Sequence, residues 1–120
     1  ALSSDFYLPI ILCPRGISTY ELVGSDRRNT ADLDSIVELR EKTHLPIIFD
    51  PSHSSGKREY VRDLSRGAIA LGAHGLMVET HLNPSQAMSD PRQQVTPDAL
   101  RKIVWDSIAF FTTRKVCDKY

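Results

Sequence analysis

The chain has 120 residues, 41% hydrophobic and 25% charged, with 15 Lys+Arg against 15 Asp+Glu. That balance belongs to a folded domain with one modest core and excludes a disordered chain; the short basic pairs Arg27-Arg28 and Lys57-Arg58 exclude the continuous positive field that a nucleic-acid backbone requires. The longest apolar runs, residues 8–13, 45–49 and 76–78, fall far below the roughly 18 residues of a membrane helix, and no charged-then-apolar leader opens the chain, so the expected location is cytoplasmic.

Residues 9–13 form a short, β-branched apolar run closed by Pro14 and Gly16, the pattern of a strand buried on both faces. A loop over residues 20–28 leads to a helix that Asn29 or Thr30 caps, with Asp32 and Asp34 in its first turns, Leu33, Ile36 and Val37 at helical spacing, and Lys42 and His44 at its end. A second apolar run, residues 46–50, precedes a turn-rich stretch over 51–56 and a helix carrying Val61, Leu64, Ala68 and Leu71 on one stripe, stopped by Gly72 and Gly75. A third run covers residues 75–79. Thr96-Pro97-Asp98 then opens a last helix whose apolar face is Leu100, Ile103, Val104, Ile108 and Phe111.

Three strand-then-helix units of roughly thirty residues imply an α/β chain with parallel strands and right-handed crossovers, either part of an eight-fold barrel or an open doubly wound sheet. Arg15, Asp50 with His53, and Glu79 each stand at or just past the carboxyl end of a strand, where both folds gather ligand-binding groups. No Gly-x-Gly-x-x-Gly follows any strand, which disfavours a dinucleotide site.

His53, Glu79 and Asp90 are a mixed nitrogen and oxygen set suited to a divalent ion of the manganese, iron or zinc type; by spacing alone a surface histidine and two solvated acids explain them as well. Arg15 offers a rigid fork for phosphate or carboxylate, or a structural ion pair. His81 is a hydrogen-bonded structural histidine or a relay beside Glu79, while His44 and His74 close helices. Ser52, Ser54 and Ser55 offer hydroxyls to an anion or cap a helix, Lys57 and Arg58 are a solvated face, and Trp105, Phe110 and Phe111 are core or subunit contact. Cys13 and Cys117 read as free thiols, since nothing suggests a stapled secreted scaffold.

The ordered motifs Ile11-Leu12-Cys13-Pro14-Arg15-Gly16, Arg28-Asn29-Thr30, Leu45-Pro46-Ile47-Ile48-Phe49-Asp50-Pro51-Ser52-His53, Ser55-Gly56-Lys57-Arg58, Gly72-Ala73-His74-Gly75-Leu76-Met77-Val78-Glu79 and Ala87-Met88-Ser89-Asp90 with Gln93-Gln94 closely resemble the carboxyl-terminal part of the 3-deoxy-D-arabino-heptulosonate 7-phosphate (DAHP) synthases, type I beta branch. The resemblance implies a partial (β/α)₈ TIM barrel in which residues 1–120 are the carboxyl-terminal portion of one domain, its sixth to eighth strands with their helices. It implies a condensation of phosphoenolpyruvate with erythrose 4-phosphate, the first step of the shikimate pathway to aromatic amino acids. His53, Glu79 and Asp90 take the positions of three metal ligands and Arg15 that of an arginine gripping phosphoenolpyruvate, with His53 and Asp90 marked as catalytic, Asp90 through proton transfer.

The family's fourth ligand, a cysteine on the first barrel strand, and further substrate-binding lysines and arginines would precede Ala1; Cys13 belongs to a different strand and does not replace that cysteine. Pro14 and Ser18 stand where members carry Glu and Arg, and Gly24-Ser25-Asp26 lengthens the following loop. The expectation is therefore an inactive isolated chain that associates with the remainder of the barrel or with a second copy. The alternatives are a 3-deoxy-octulosonate 8-phosphate synthase and a non-catalytic partial barrel acting as a binding or assembly module.

Overall fold

The β-branched run around residue 48 builds strand β1 (Ile48–Phe49), which pairs in parallel with β2 (Gly75–Leu76) in the register Ile48↔Gly75 and Phe49↔Leu76. The structure, a computed structural model, describes residues 9–20 and 29–117, with side chains as far as residue 113; most of the expected loop over 20–28, Arg28 of the second motif and the Cys117 side chain lie outside them. Parallel strands need a crossover, supplied here by two helices, α2 (Pro51–Ser55) and α3 (Arg58–Leu71). Together with α1 (Asp34–Lys42) and α4 (Pro97–Cys117), they make the helical layer of an α/β chain.

The core forms where that layer meets the strands. Phe49 is fully buried against Ile36, Ala68, Ile69 and Ala73, and a second cluster joins Val61, Val95 and Ile103. Burying a side chain of this size contributes about 1.5–3 kcal/mol. In α3, Val61, Ser65, Ala68 and Ile69 recur at three and four residues and face inward. That helix stops at Gly72, whose φ of 114° lets its N–H return to the Ala68 and Ile69 carbonyls. The start of α4 is also as expected, with the Thr96 hydroxyl accepting from Ala99 N at 3.2 Å.

Four local expectations are corrected. The first helix begins at Asp34 and not after Asn29 or Thr30, because Thr30 is committed to a two-way backbone exchange with Ile17 at 2.8 and 2.9 Å. In its place Asp32 accepts from Ser35 N, 3.3 Å away. Over residues 9–13 only Leu12 forms a bridge, in parallel with Ile47; Ile10 and Ile11 remain 43% and 56% exposed, so the expected burial on both faces is absent. Residues 51–56, read as a turn, contain α2: Asp50 caps it, Pro51 occupies its first position, and Gly56 ends it at a φ of 60°. His74 closes no helix. Its backbone N–H donates to Ile47 O at 2.7 Å and its Nδ1 accepts from Ile47 N at 3.1 Å, which extends the strand pairing by one residue.

On α4, Ile103 is buried as expected, but Val104 and Ile108 are 47% and 52% exposed. They border an apolar groove of about 460 Å³ with Leu76, Val78, Leu100 and Phe111. Among the described residues no helix is long and apolar enough to cross a membrane.

Gly16 fixes the approach of the segment after Leu12 to the rest of the chain. Its φ is 88°, and a Cβ there would stand 2.8 Å from Thr30 O and 3.0 Å from the Ser54 Cβ. Gly16→Ala should therefore cost roughly 1–3 kcal/mol, read as a lowered urea midpoint; an unchanged midpoint would show that this close approach is not maintained in solution.

Candidate functional site

Asp50 follows β1 directly and is buried, its side chain only 1% exposed. A carboxylate there needs full compensation by hydrogen bonds. Its Oδ1 accepts from His53 N at 2.9 Å, the capping contact of α2, and its Oδ2 lies 2.7 Å from His53 Nδ1 and 3.1 Å from Arg15 Nε. One carboxylate thus orients both an imidazole and a guanidinium. When Nδ1 carries the proton toward Asp50, His53 Nε2 presents its lone pair to the cavity.

That nitrogen faces Glu79, whose Oε1 is 3.3 Å away. Glu79 lies past the end of β2, where its backbone is held on both sides: its N–H donates to the buried Ser52 hydroxyl at 3.0 Å, and its carbonyl accepts from Val95 N at 3.0 Å. The second Glu79 oxygen accepts from Gln93 Nε2 at 2.8 Å. Asp90 arrives from the following turn with a φ of 48°, a left-handed conformation that aspartate tolerates better than most residues. Ligand atoms of His53, Glu79 and Asp90 all lie within 4.8 Å of one another. In that tautomer one imidazole nitrogen and two carboxylates turn lone pairs toward one another over this distance, a set of ligand atoms that suits a divalent cation.

Arg15 borders the same cavity, about 630 Å³, with Asn29, His53, Asp90, Arg92 and Gln93. Arg15 makes the expected ion pair, its Nε paired with Asp50, while its side chain is 54% exposed. The three serines are structural: Ser52 serves Glu79, Ser54 Oγ donates to Asp50 O at 2.7 Å, and Ser55 Oγ lies within 3.2 Å of the Ser52 and Lys57 carbonyls. His81 is likewise structural, its Nδ1 accepting from Asn83 N at 3.0 Å. Phe111 packs on the first core cluster, Phe110 lies under Arg66, and Trp105 is 68% exposed.

Sequence reasoning leaves the roles of Asp50 and Gln93 unassigned. Asp50 carries a local signal, an acid before proline and three residues before His53, which is the spacing of a helix cap to its recipient. Gln93 carries none, because its partner is 14 residues away. The solvated face assigned to Lys57 and Arg58 is corrected at Arg58, which is half-buried and bonded to three backbone carbonyls.

Cys13, a free thiol, lies close to this hub. Burial pushes its pKa up and the Asp50 carboxylate pushes it further, against a smaller opposing effect of Arg15. A raised pKa leaves less thiolate at every pH below it. In a Cys117→Ser background, alkylation of Cys13 by iodoacetamide should therefore follow a pH curve displaced upward from that of free cysteine, and Asp50→Asn should move the curve back down. A curve matching free cysteine would contradict this environment.

Comparison with known proteins shows the family. The sequence profile of the DAHP synthetase I family matches residues 8–111. The chain is 47% identical over 95 residues to the phospho-2-dehydro-3-deoxyheptonate aldolase of Thermotoga maritima, an alignment covering 79% of this chain and 27% of that protein. It is 35% identical over 112 residues to the 2-dehydro-3-deoxyphosphooctonate aldolase of Bordetella pertussis, covering 83% of this chain and 37% of that one. The crystal structure of the Thermotoga maritima DAHP synthase superposes with a TM-score of 0.71 at 40% identity, covering 91% of this chain and 29% of the solved one. The chain thus spans about a third of the length of these relatives.

Proposed function

The chain belongs to the DAHP synthetase I family, and we propose that it is the carboxyl-terminal portion of a single barrel domain, the last three of eight strand–helix units. The domain condenses phosphoenolpyruvate, erythrose 4-phosphate and water to DAHP and phosphate in the cytoplasm. The observation that carries this is the convergence of His53, Glu79 and Asp90 within 4.8 Å beside a cavity that also holds Arg15.

His53 through Nε2 and Glu79 and Asp90 through carboxylate oxygens would hold a divalent ion of the manganese, iron or zinc type. That ion supplies Lewis acidity for the acceptor aldehyde. The chain's own residues do the rest of its share. Arg15 grips the anionic phosphoenolpyruvate with the part of its guanidinium not committed to Asp50, and Asp50 keeps the arginine and the imidazole in fixed orientations. Asp90, exposed on its turn, would act in proton transfer. The remaining metal ligand and substrate cations come from the other strands of the barrel.

A second reading, 3-deoxy-octulosonate 8-phosphate synthesis, is favoured by the 35% identity to the Bordetella pertussis aldolase. The acceptor aldose separates the two. Expressed in its native coding context and supplied with Mn²⁺, the protein should form product from phosphoenolpyruvate and erythrose 4-phosphate much faster than with arabinose 5-phosphate; the reverse preference would establish the second reading, and no product from either would leave a binding module. Arg15→Ala should raise the KM for phosphoenolpyruvate roughly tenfold to a hundredfold, the size expected for a lost charge-assisted contact, with a smaller effect on kcat.

The 120 residues alone should show no turnover, because half a site does not give half a rate. They should also self-associate or bind the remainder of the barrel, since Ile11, Met77 and Ile108 leave apolar surface uncovered and burying it is favourable at roughly 25 cal/mol per Å². Sedimentation checks this: a monodisperse 13.5 kDa monomer is the contrary result.

A further inference from the structure

Asp90 and Gln93 are delivered by a turn whose tip has no apolar anchoring, since Asp90, Pro91 and Arg92 are all exposed, while its end is seated in the second core cluster through Val95. The turn is nevertheless tied to the helical layer at three points by one residue. Arg58, the first residue of α3, donates from its backbone N–H to Arg92 O at 2.8 Å, from Nε to Gln94 O at 2.6 Å and from Nη2 to Pro91 O at 2.7 Å. Gln94 closes the turn on itself, its Nε2 donating to Ser89 O at 2.8 Å. Neutral carbonyls, not carboxylates, receive this guanidinium, so it fixes backbone position and forms no ion pair with the site.

We propose that Arg58 is a positioning residue that locks the turn over 89–95, holding Asp90 and Gln93 against His53 and Glu79 before an ion binds. Gln93 connects the lock to the centre, because its amide donates to Glu79 Oε2 at 2.8 Å and so orients that carboxylate from the turn side. Without the guanidinium, two carbonyls lose their donors; the contacts that remain include the Arg58 backbone bond, the Gln93 N–H to Asp90 O and Gln94 Nε2 to Ser89 O bonds within the turn, the Gln93 bond to Glu79, and the pairing and burial of Val95. The ion would then have to supply the ordering that Arg58 supplies in advance, and its affinity falls accordingly.

The inference rests on the metal reading above, and the test separates the two. In the protein expressed in its native coding context, Mn²⁺ affinity is measured by calorimetry, and amide exchange is measured in the metal-free state, for wild type, Arg58→Gln, Arg58→Lys, Asp90→Ala and the Arg58→Gln/Asp90→Ala pair. Arg58→Gln should lower Mn²⁺ affinity by about tenfold or more and accelerate exchange at Gln93 and Val95, with the α3 amides beyond its first turn unchanged. Arg58→Lys, which keeps one charged donor but not the fork, should recover part of both. In the Asp90→Ala background, Arg58→Gln should cost less further affinity than it does in wild type, since only the Gln93 contact to Glu79 is then left for it to position. Unchanged affinity and exchange in Arg58→Gln, or a fully additive double variant, would overturn the proposal. His53→Ala is the separate control: affinity equal to wild type there would remove the metal reading, and the exchange data would still decide the role of Arg58.

Discussion

The buried carboxylate of Asp50 is the point on which the site and the local fold both depend. Placed at the end of β1, it begins α2 by accepting from His53 N, holds the His53 ring through Nδ1 and ties Arg15 through Nε. A carboxylate this deep is tolerable only when its oxygens are fully engaged, so the fold and the orientation of two candidate site residues stand or fall together. Removing it strands a guanidinium and an imidazole as well as a helix start. The same strand end also carries the next contact outward, since Ser52 in α2 receives the backbone N–H of Glu79 and so sets the spacing between the two strand ends.

Legibility in the sequence follows how local each cause is. The run around residue 48, the stripe of Val61 and Ala68 ended by Gly72, and the Thr96-Pro97 start of α4 are readable because propensity, periodicity and capping act over a few residues. The five residues of α2 are too few for periodicity, though Asp50-Pro51 carries the cap-and-proline signal. The late start of α1 is not readable, because a backbone exchange with Ile17, 13 positions earlier, decides it. At the site, residue spacing makes His53, Glu79 and Asp90 only plausible, and the family resemblance singles them out. Arg58 falls within a motif of the family resemblance, but its role is illegible, because its partners are backbone carbonyls more than thirty residues away and a carbonyl has no side-chain signature.

The surfaces that contradict the simple reading have one physical cause. Ile10 and Ile11 beside the Leu12 bridge, and Val104 and Ile108 beside the groove along α4, lie at the two borders of the described sheet and helix layer. Their composition is that of residues meant for contact, while their exposure is that of a border. The relatives are about three times as long, and among the described residues β1 and β2 are the strands that pair regularly.

The three convergent side chains differ in how they are held, and this ranks their tolerance to change. His53 sits in the first turn of α2, with backbone and ring both fixed by Asp50. Glu79 is extended chain pinned by Ser52 and Val95. Asp90 stands on an exposed turn tip that is bonded to α3 through Arg58 and to Glu79 through Gln93 of the same turn. Precision in such a centre is limited by its least rigid member, and a ligand displaced by about an ångström costs much of the affinity that the other two provide. On the proposed metal reading, the substitutions expected to change the centre from a distance are therefore those at Arg58 that loosen the tip of the 89–95 turn, and not those that stiffen α2 or the strand ends.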